Sequence, residues 1–344
     1  MRNLLVVLLL LLPVLLGATR FVSKNGDDGN GGTSLVDAWL TLGHAGTNIS
    51  GGDTLVIGNG YWNETLSTVS GTVGDTTTYL DSLTFVDGYD AASSDSVWNT
   101  RIGNSGTYAL NIYDDDYVKV VGLWFQHNTD VMYNRYYSEG VVVEHCKLEK
   151  PYNSSGAIVE NYGQLWLYNC LLTTSGYAAT NGLVLSGNNA ATYVKVINCT
   201  VAGLFTNAAV SCPSATVGDV VFINNIVVNN SATAADYVVN ITDATADQVD
   251  DWDHNLYYGP NLTNEWHVVS TDYSDIESYR TAMQSFDVDA ETNSINADPG
   301  LLFDGCVIGS GSPAYGVAWD IGRGGSMGYY QNVSGRRSYY IVID

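Results

Sequence analysis

The chain has 344 residues, 45% of them apolar, enough for one large core or an elongated stack. Only 14% are charged, and 13 Lys+Arg stand against 36 Asp+Glu for a net charge of −23. That balance argues against nucleic acid and anionic membrane surfaces, which need basic patches, and weighs less strongly against an unassisted site for a polyanionic sugar.

The N-terminus reads Arg2, an apolar run from Leu4 to Leu16 interrupted by Pro13, then the small residues Gly17 and Ala18. This is the layout of a secretory signal over residues 1–18, and the run is too short to favour a membrane span. Residues 19–344 are expected to form one domain acting outside the cell or at its surface. Its expected parts are a cap and first coil over 19–65, central coils over 66–260, and an irregular excursion with a C-terminal cap over 261–344. The cap opens on Phe21-Val22-Ser23-Lys24-Asn25-Gly26, continues through a short helical patch near Leu35 to Gly43, and reaches Thr54-Leu55-Val56-Ile57.

Five segments then repeat one pattern: a short apolar strand, one special residue, and a second short apolar strand. They begin at Val118, Val141, Leu165, Val194 and Val220. The special position reads Gly122, His145, Asn169, Asn198 and Asn224, with Asn255 expected as the sixth. Gly, Asn and, less often, His tolerate a left-handed backbone, so a tight bend recurs once per coil of a solenoid. The asparagines are expected to bond from coil to coil as a polar ladder. Alternation points Val141 and Val143, Leu165 and Leu167, and Val194 and Val196 inward. Third strands are expected at Ala109–Ile112, Asp130–Tyr133, Ala157–Glu160, Leu183–Leu185, Ala209–Ser211 and Val238–Ile241. Three short strands per coil, stacked in one direction, make an all-β parallel β-helix.

Five cysteines are an odd number, and Cys146, Cys170 and Cys199 share one repeat position, so they are expected as a buried stack of free thiols. Between Glu265 and Ala290 the strand pattern breaks. Ile276, Tyr279 and Met283 at helical spacing predict a short helix covering the last coil.

The opening segment, with Gly60-Tyr61-Trp62 after it, resembles the N-terminal cap of the pectin-lyase-like superfamily. Ser294-Ile295-Asn296-Ala297-Asp298-Pro299-Gly300 and Gly311-Ser312-Pro313-Ala314-Tyr315-Gly316 resemble its closing segments. The resemblance covers nearly the whole mature chain and implies a right-handed, single-stranded parallel β-helix. It also implies a site on the outer face of one sheet. Lyases of this kind need a base and a cation or acid that neutralises a uronate carboxylate, many using calcium held by carboxylates; hydrolases use clustered aspartates. These are scaffold motifs and transfer no catalytic residue.

One region combines the required side chains, between Asn111 and Glu160. Arg135, Glu139 and Asp115 are the candidate catalytic residues. Tyr113, Tyr133, Tyr137 and Glu160 are candidates for substrate binding, and Asp114 and Asp116 for calcium. The turns carrying Asp114 to Asp116 and Tyr133 to Glu139 are expected to stack in successive coils. Each element has a plainer account: the aspartates as a turn, Arg135 as their ion-pair partner, His127 as a structural or surface residue. Lys147, Glu149 and Lys150 read as solvated charges on an outer strand. Asp247, Asp250, Asp251 and Asp253 lack calcium-loop spacing and read as a solvated acidic loop.

Two readings of function remain open: a secreted polysaccharide lyase or hydrolase, and a non-catalytic glycan-binding adhesin, fibre or surface structural protein. Whether Arg135 converges with two carboxyls in a groove separates them.

Overall fold

The structure is a computed structural model that describes residues 17–50, 52–67, 83–87, 100–103, 106–112, 117–135, 138, 140–152, 155–186, 193–213, 218–233, 235–243, 249, 251–302, 307–308 and 313. It is a nearly all-β parallel solenoid. One face is a nine-stranded sheet: Thr19–Val22, Thr54–Ile57, Leu83–Asp87, Val118–Val121, Val141–Glu144, Leu165–Tyr168, Val194–Ile197, Val220–Ile223 and Asp251–Asp253. Every pairing within it is parallel. The second column of strands includes Gly60–Trp62, Thr100–Gly103, Trp124–Gln126, Lys147–Lys150, Ile226–Asn229 and Leu256–Tyr258. The third includes Tyr108–Ile112, Asp130–Asn134, Ala157–Asn161, Tyr237–Ile241 and Trp266–Val268. In two coils the second and third strands run together, as Leu171–Leu185 and Thr200–Cys212, joining both columns into one sheet. All six expected third strands lie in the third column.

Alternation fills the interior. Val118 and Val120, Val141 and Val143, Leu165 and Leu167, Val194 and Val196 are buried, as are Phe125, Leu148, Leu172 and Val201 on the facing column. Registered pairs such as Leu148↔Phe125 and Leu148↔Leu172 stack like on like from coil to coil. Each buried aliphatic side chain contributes on the order of 1.5–3 kcal/mol. A slip by one residue would turn these positions outward, so the core enforces the register.

The left-handed bends fall at Gly122 (φ 76°), His145 (54°), Asn169 (52°), Asn198 (56°) and Asn224 (58°). In the sixth coil the left-handed residue is His254 (φ 56°), not Asn255. Asp253 pairs with Ile223, so His254 stands opposite Asn224 at the bend, and the bend expected at Asn255 lies one residue too far along the chain. Asn255 consequently aligns with Leu123, Cys146, Cys170, Cys199 and Asn225, the residues just after each bend, all of them fully buried. The polar ladder therefore runs inside the coil, one residue beyond the bend. Asn225 Nδ2 donates to the Val196 carbonyl (2.9 Å) and Asn255 Nδ2 to the Phe222 carbonyl (2.7 Å). Asn225 Oδ1 accepts from the Cys199 amide (2.9 Å), and Asn255 Oδ1 from the Asn225 amide (3.0 Å). Cys146, Cys170, Cys199 and Cys212 are buried free thiols.

Asn169 thus earns its place through backbone conformation. Asn169→Leu is expected to cost about 1–2 kcal/mol, because a γ-branched side chain is strained at positive φ, while Asn169→Gly stays near wild type. Chemical denaturation of both variants checks this; equal losses would mean that the amide itself matters.

Both described ends are covered. Helix α1, Leu42–Asn48, is capped by Thr41, whose side chain accepts from the His44 amide, and it buries Leu42 and Ala45. Helix α2, Ile276–Met283, is capped by Asp275 and buries Tyr279 and Met283 at the far end. The coil pattern does not break at Glu265 or residue 260: Trp266–Val268 pairs in parallel with Val239–Ile241 and extends the third column. The excursion begins after it, through the antiparallel strand Thr271–Tyr273 into α2. Among the described residues, no helix is long and apolar enough to cross a membrane.

Candidate functional site

The outer face of the third column carries the described part of the predicted site. Inward positions there go to Met132, Val159 and Leu183, so alternation turns Tyr133 and Glu160 outward. Tyr133 lies in register between Asn111 and Glu160 of the adjoining coils. Its ring stacks on Tyr108 at 4.7 Å between centroids and meets Tyr162 at 5.6 Å, giving a strip of three tyrosines. The Arg135 guanidinium lies 5.6 Å from the Tyr133 ring centroid, and the Arg135 amide donates to the Ile112 carbonyl at 3.1 Å. Glu160 Oε1 accepts from the Tyr162 hydroxyl at 2.6 Å. Burial pushes the Glu160 carboxyl above its usual range; the Tyr162 hydrogen bond opposes this, and the nearby Asp130 charge adds to it.

Beside this strip sits a cluster of three ionisable residues. Lys150 is fully buried and its Nζ donates to the Ser155 and Gly156 carbonyls, both at 3.0 Å. Asp130 Oδ1 accepts from the Ala157 amide at 2.7 Å, and its pKa is raised by burial against the pull of that bond and of Lys150. Burial lowers the pKa values of Lys150 and His127. The cluster pins the turn between the second and third columns, so Lys150 is no solvated charge. Lys147 and Glu149 are also largely buried and pair with each other at 3.2 Å. A charged side chain can occupy an outward strand position and still be covered when the neighbouring turn folds over it.

Of the predicted site residues, the structure brings Tyr133, Arg135 and Glu160 together. Tyr113, Asp114, Asp115, Asp116, Tyr137 and Glu139 lie outside the described residues, and with them the proposed calcium ligands. Tyr108 and Tyr162 received no role from the sequence. The signal for Tyr108 was available, since it directly precedes the predicted third strand Ala109–Ile112; Tyr162 belongs to the turn after Asn161 and follows no repeat. The second acidic cluster has a clasping role: the two Asp253 carboxylate oxygens accept from the backbone and side-chain nitrogens of Asn293, each at 2.6 Å. Asp247 and Asp250 lie outside the described residues. No group of three potential metal ligands occurs among the described residues.

No family model matches the chain, and no curated protein matches its sequence. Among solved structures, the chain is similar to two crystal structures of a GH136 lacto-N-biosidase from Eubacterium ramulus. The selenomethionine derivative is 9% identical, with 82% of this chain and 67% of that chain covered and a TM-score of 0.25. The native protein is 10% identical, with 73% and 68% covered and a TM-score of 0.19. TM-scores this low leave the site to be read from its own geometry.

Proposed function

We propose that this solenoid, exported by the signal at residues 1–18, binds a polysaccharide on the outer face of its third column and hydrolyses it. The observation that carries the reading is the Tyr108–Tyr133–Tyr162 strip flanked by the Glu160 carboxyl. Aromatic rings offer sugar rings an apolar stacking surface, and carboxyl and guanidinium groups beside them bind hydroxyls. Glu160, held protonated to higher pH than a free carboxyl, is the proton donor to the glycosidic oxygen. Arg135 orients the sugar. A glycosidase needs a second carboxyl, and Glu139 or Asp115, from the segments following Asn134 and Ile112, supplies it. Asp114 and Asp116 are the residues that would hold calcium. The fold resemblance to the pectin-lyase-like superfamily supports a carbohydrate substrate by analogy alone.

A second reading, glycan binding without cleavage, is favoured by one detail: Glu160 Oε1 is already occupied by the Tyr162 hydroxyl.

The test is a polysaccharide panel assayed with and without calcium for reducing ends and for unsaturated-product absorbance. Reducing ends without absorbance are expected, with Glu160→Gln lowering the rate by about a hundredfold or more. Tyr133→Ala is expected to raise KM by roughly tenfold, the loss of about 1.4 kcal/mol of stacking. A gain in absorbance would mean a lyase. Silence in both assays with retention on a glycan array would leave the binding reading.

A further inference from the structure

A concave site lies on a different face from the third-column tyrosine strip. A groove of about 580 Å³ follows the outer side of the second column, lined among others by Glu149, Thr173, Ser175, Gly203, Asn230 and Leu301. Register explains its floor: Glu149 pairs with Thr173, and Thr173 with Ala202, so the three share one outward row in successive coils. Glu149 is 7% exposed, yet it borders open space. One of its carboxylate oxygens takes the Ser175 hydroxyl. The other is held by Lys147 as an ion pair at 3.2 Å and has no hydrogen bond of its own. Lys147 is fixed in turn over the Trp124 ring, 4.3 Å from its centroid.

The rest of the groove is built to stay open and polar. Thr174 Oγ1 accepts from the Leu204 amide at 3.0 Å, which ties the floor together. At Gly203 a Cβ would come within 2.5 Å of Thr174 Oγ1, so a larger residue would displace that tie. Gly176 also lines the groove, and Tyr177 follows it in the chain: Tyr177 is 49% exposed, and its ring centre is 6.0 Å from that of Tyr152, itself 53% exposed. Paired and half-exposed, the two rings offer a flat aromatic surface next to the groove-lining Gly176.

We propose that this groove is a saccharide-binding site for a short neutral oligosaccharide. The Glu149 carboxylate, with the Thr173 and Ser175 hydroxyls and the Asn230 carboxamide around it, matches the alternating donors and acceptors of a vicinal diol. The Tyr152–Tyr177 pair, next in the chain to the groove-lining Gly176, would supply a stacking surface. The volume falls within the range of small-ligand clefts. Competing occupants fit less well. An anion would meet Glu149 while Lys147 is already paired, and a purely apolar ligand would leave the Thr, Ser and Glu groups unpaired. The site shares no residue with the third-column face, so either reading can fail alone.

The experiment uses the mature chain with cellobiose, xylobiose, maltose and chitobiose, read by saturation-transfer NMR and then by titration. Saturation transfer to at least one disaccharide is expected. Tyr177→Ala and Asn230→Ala remove exposed side chains and are expected to weaken binding, Tyr177→Ala by about tenfold. Glu149→Gln should weaken it as well; if that variant misfolds, the two surface variants decide. Tyr133→Ala, on the other face, should leave the titration unchanged. No transfer from any of the four sugars would overturn the proposal. So would binding that survives Tyr177→Ala and Asn230→Ala but disappears in Tyr133→Ala.

Discussion

Glu291→Gln should remove a loss of stability that the wild-type protein undergoes as pH rises from about 4.5 to about 7. Glu291 is fully buried under helix α2, where its Oε1 accepts from the Tyr257 and Tyr279 hydroxyls. Burial pushes its pKa from 4.5 to about 7; hydrogen bonds from Ser294, Tyr257 and Tyr279 resist the rise, and the Asp253 charge adds to it. The unfolded chain releases this proton near 4.5, whereas the folded chain keeps it to about 7. Between those values the folded state binds more protons, so stability falls with rising pH. A raised carboxyl therefore stabilises fully below the unfolded value, and that contribution is gone above the folded one. The difference amounts to about 3 kcal/mol.

Glutamine mimics the protonated carboxyl, accepting from both tyrosines without titrating. Melting curves of the two proteins should diverge by several degrees between pH 4.5 and 8, with the variant the flatter. Asp130, Glu160 and Glu265 are shifted in the same direction and are common to both, so the difference isolates Glu291. Parallel curves would show that the C-terminal end does not hold this carboxyl dry. The nearby Arg280 is paired with Glu277 at 2.5 Å and donates through Nε to the Glu291 backbone carbonyl.

Asn225→Leu is the other substitution with a large expected effect. The side chain is fully buried and serves three partners: the Cys199 amide, the Val196 carbonyl and Asn255 Oδ1. Leucine satisfies none of them. Each orphaned buried group costs roughly 1–3 kcal/mol, and relaxation recovers part, so a loss of about 3–5 kcal/mol is expected. Asn225→Cys, which restores the residue of the preceding coils, should be milder, since a thiol packs there in Cys146, Cys170 and Cys199. Urea midpoints check the pair. A wild-type midpoint for Asn225→Leu would mean that the internal ladder contributes nothing to the coil stack.

The contrast between the two internal columns shows what a linear pattern can and cannot reveal. The bend residues were legible because left-handed backbone restricts the residue type locally; Asn169, Asn198 and Asn224 announce themselves. The ladder one residue on was read as apolar packing, because three of its members are cysteines. That Asn225 and Asn255 continue the same column follows from the register of Asp253 with Ile223, which places His254 at the bend and Asn255 one residue beyond it. The site behaves similarly. Tyr133 and Glu160 were legible as outward positions of predicted strands, whereas Tyr162 joins them from a turn. Lys147 and Glu149 were misjudged because alternation reports direction, not cover, and Lys150 because its charge was read ahead of its inward parity with Leu148.

Sequence alone determined the solenoid, its three strands per coil, the inward and outward faces and the first five bends, since each follows from periodicity and local backbone preference. Tertiary structure alone decided which polar side chains are dry. Glu149 and Glu291 owe their burial to a neighbouring strand and a helix packed over them from other parts of the chain, and burial is a property of what lies above a residue.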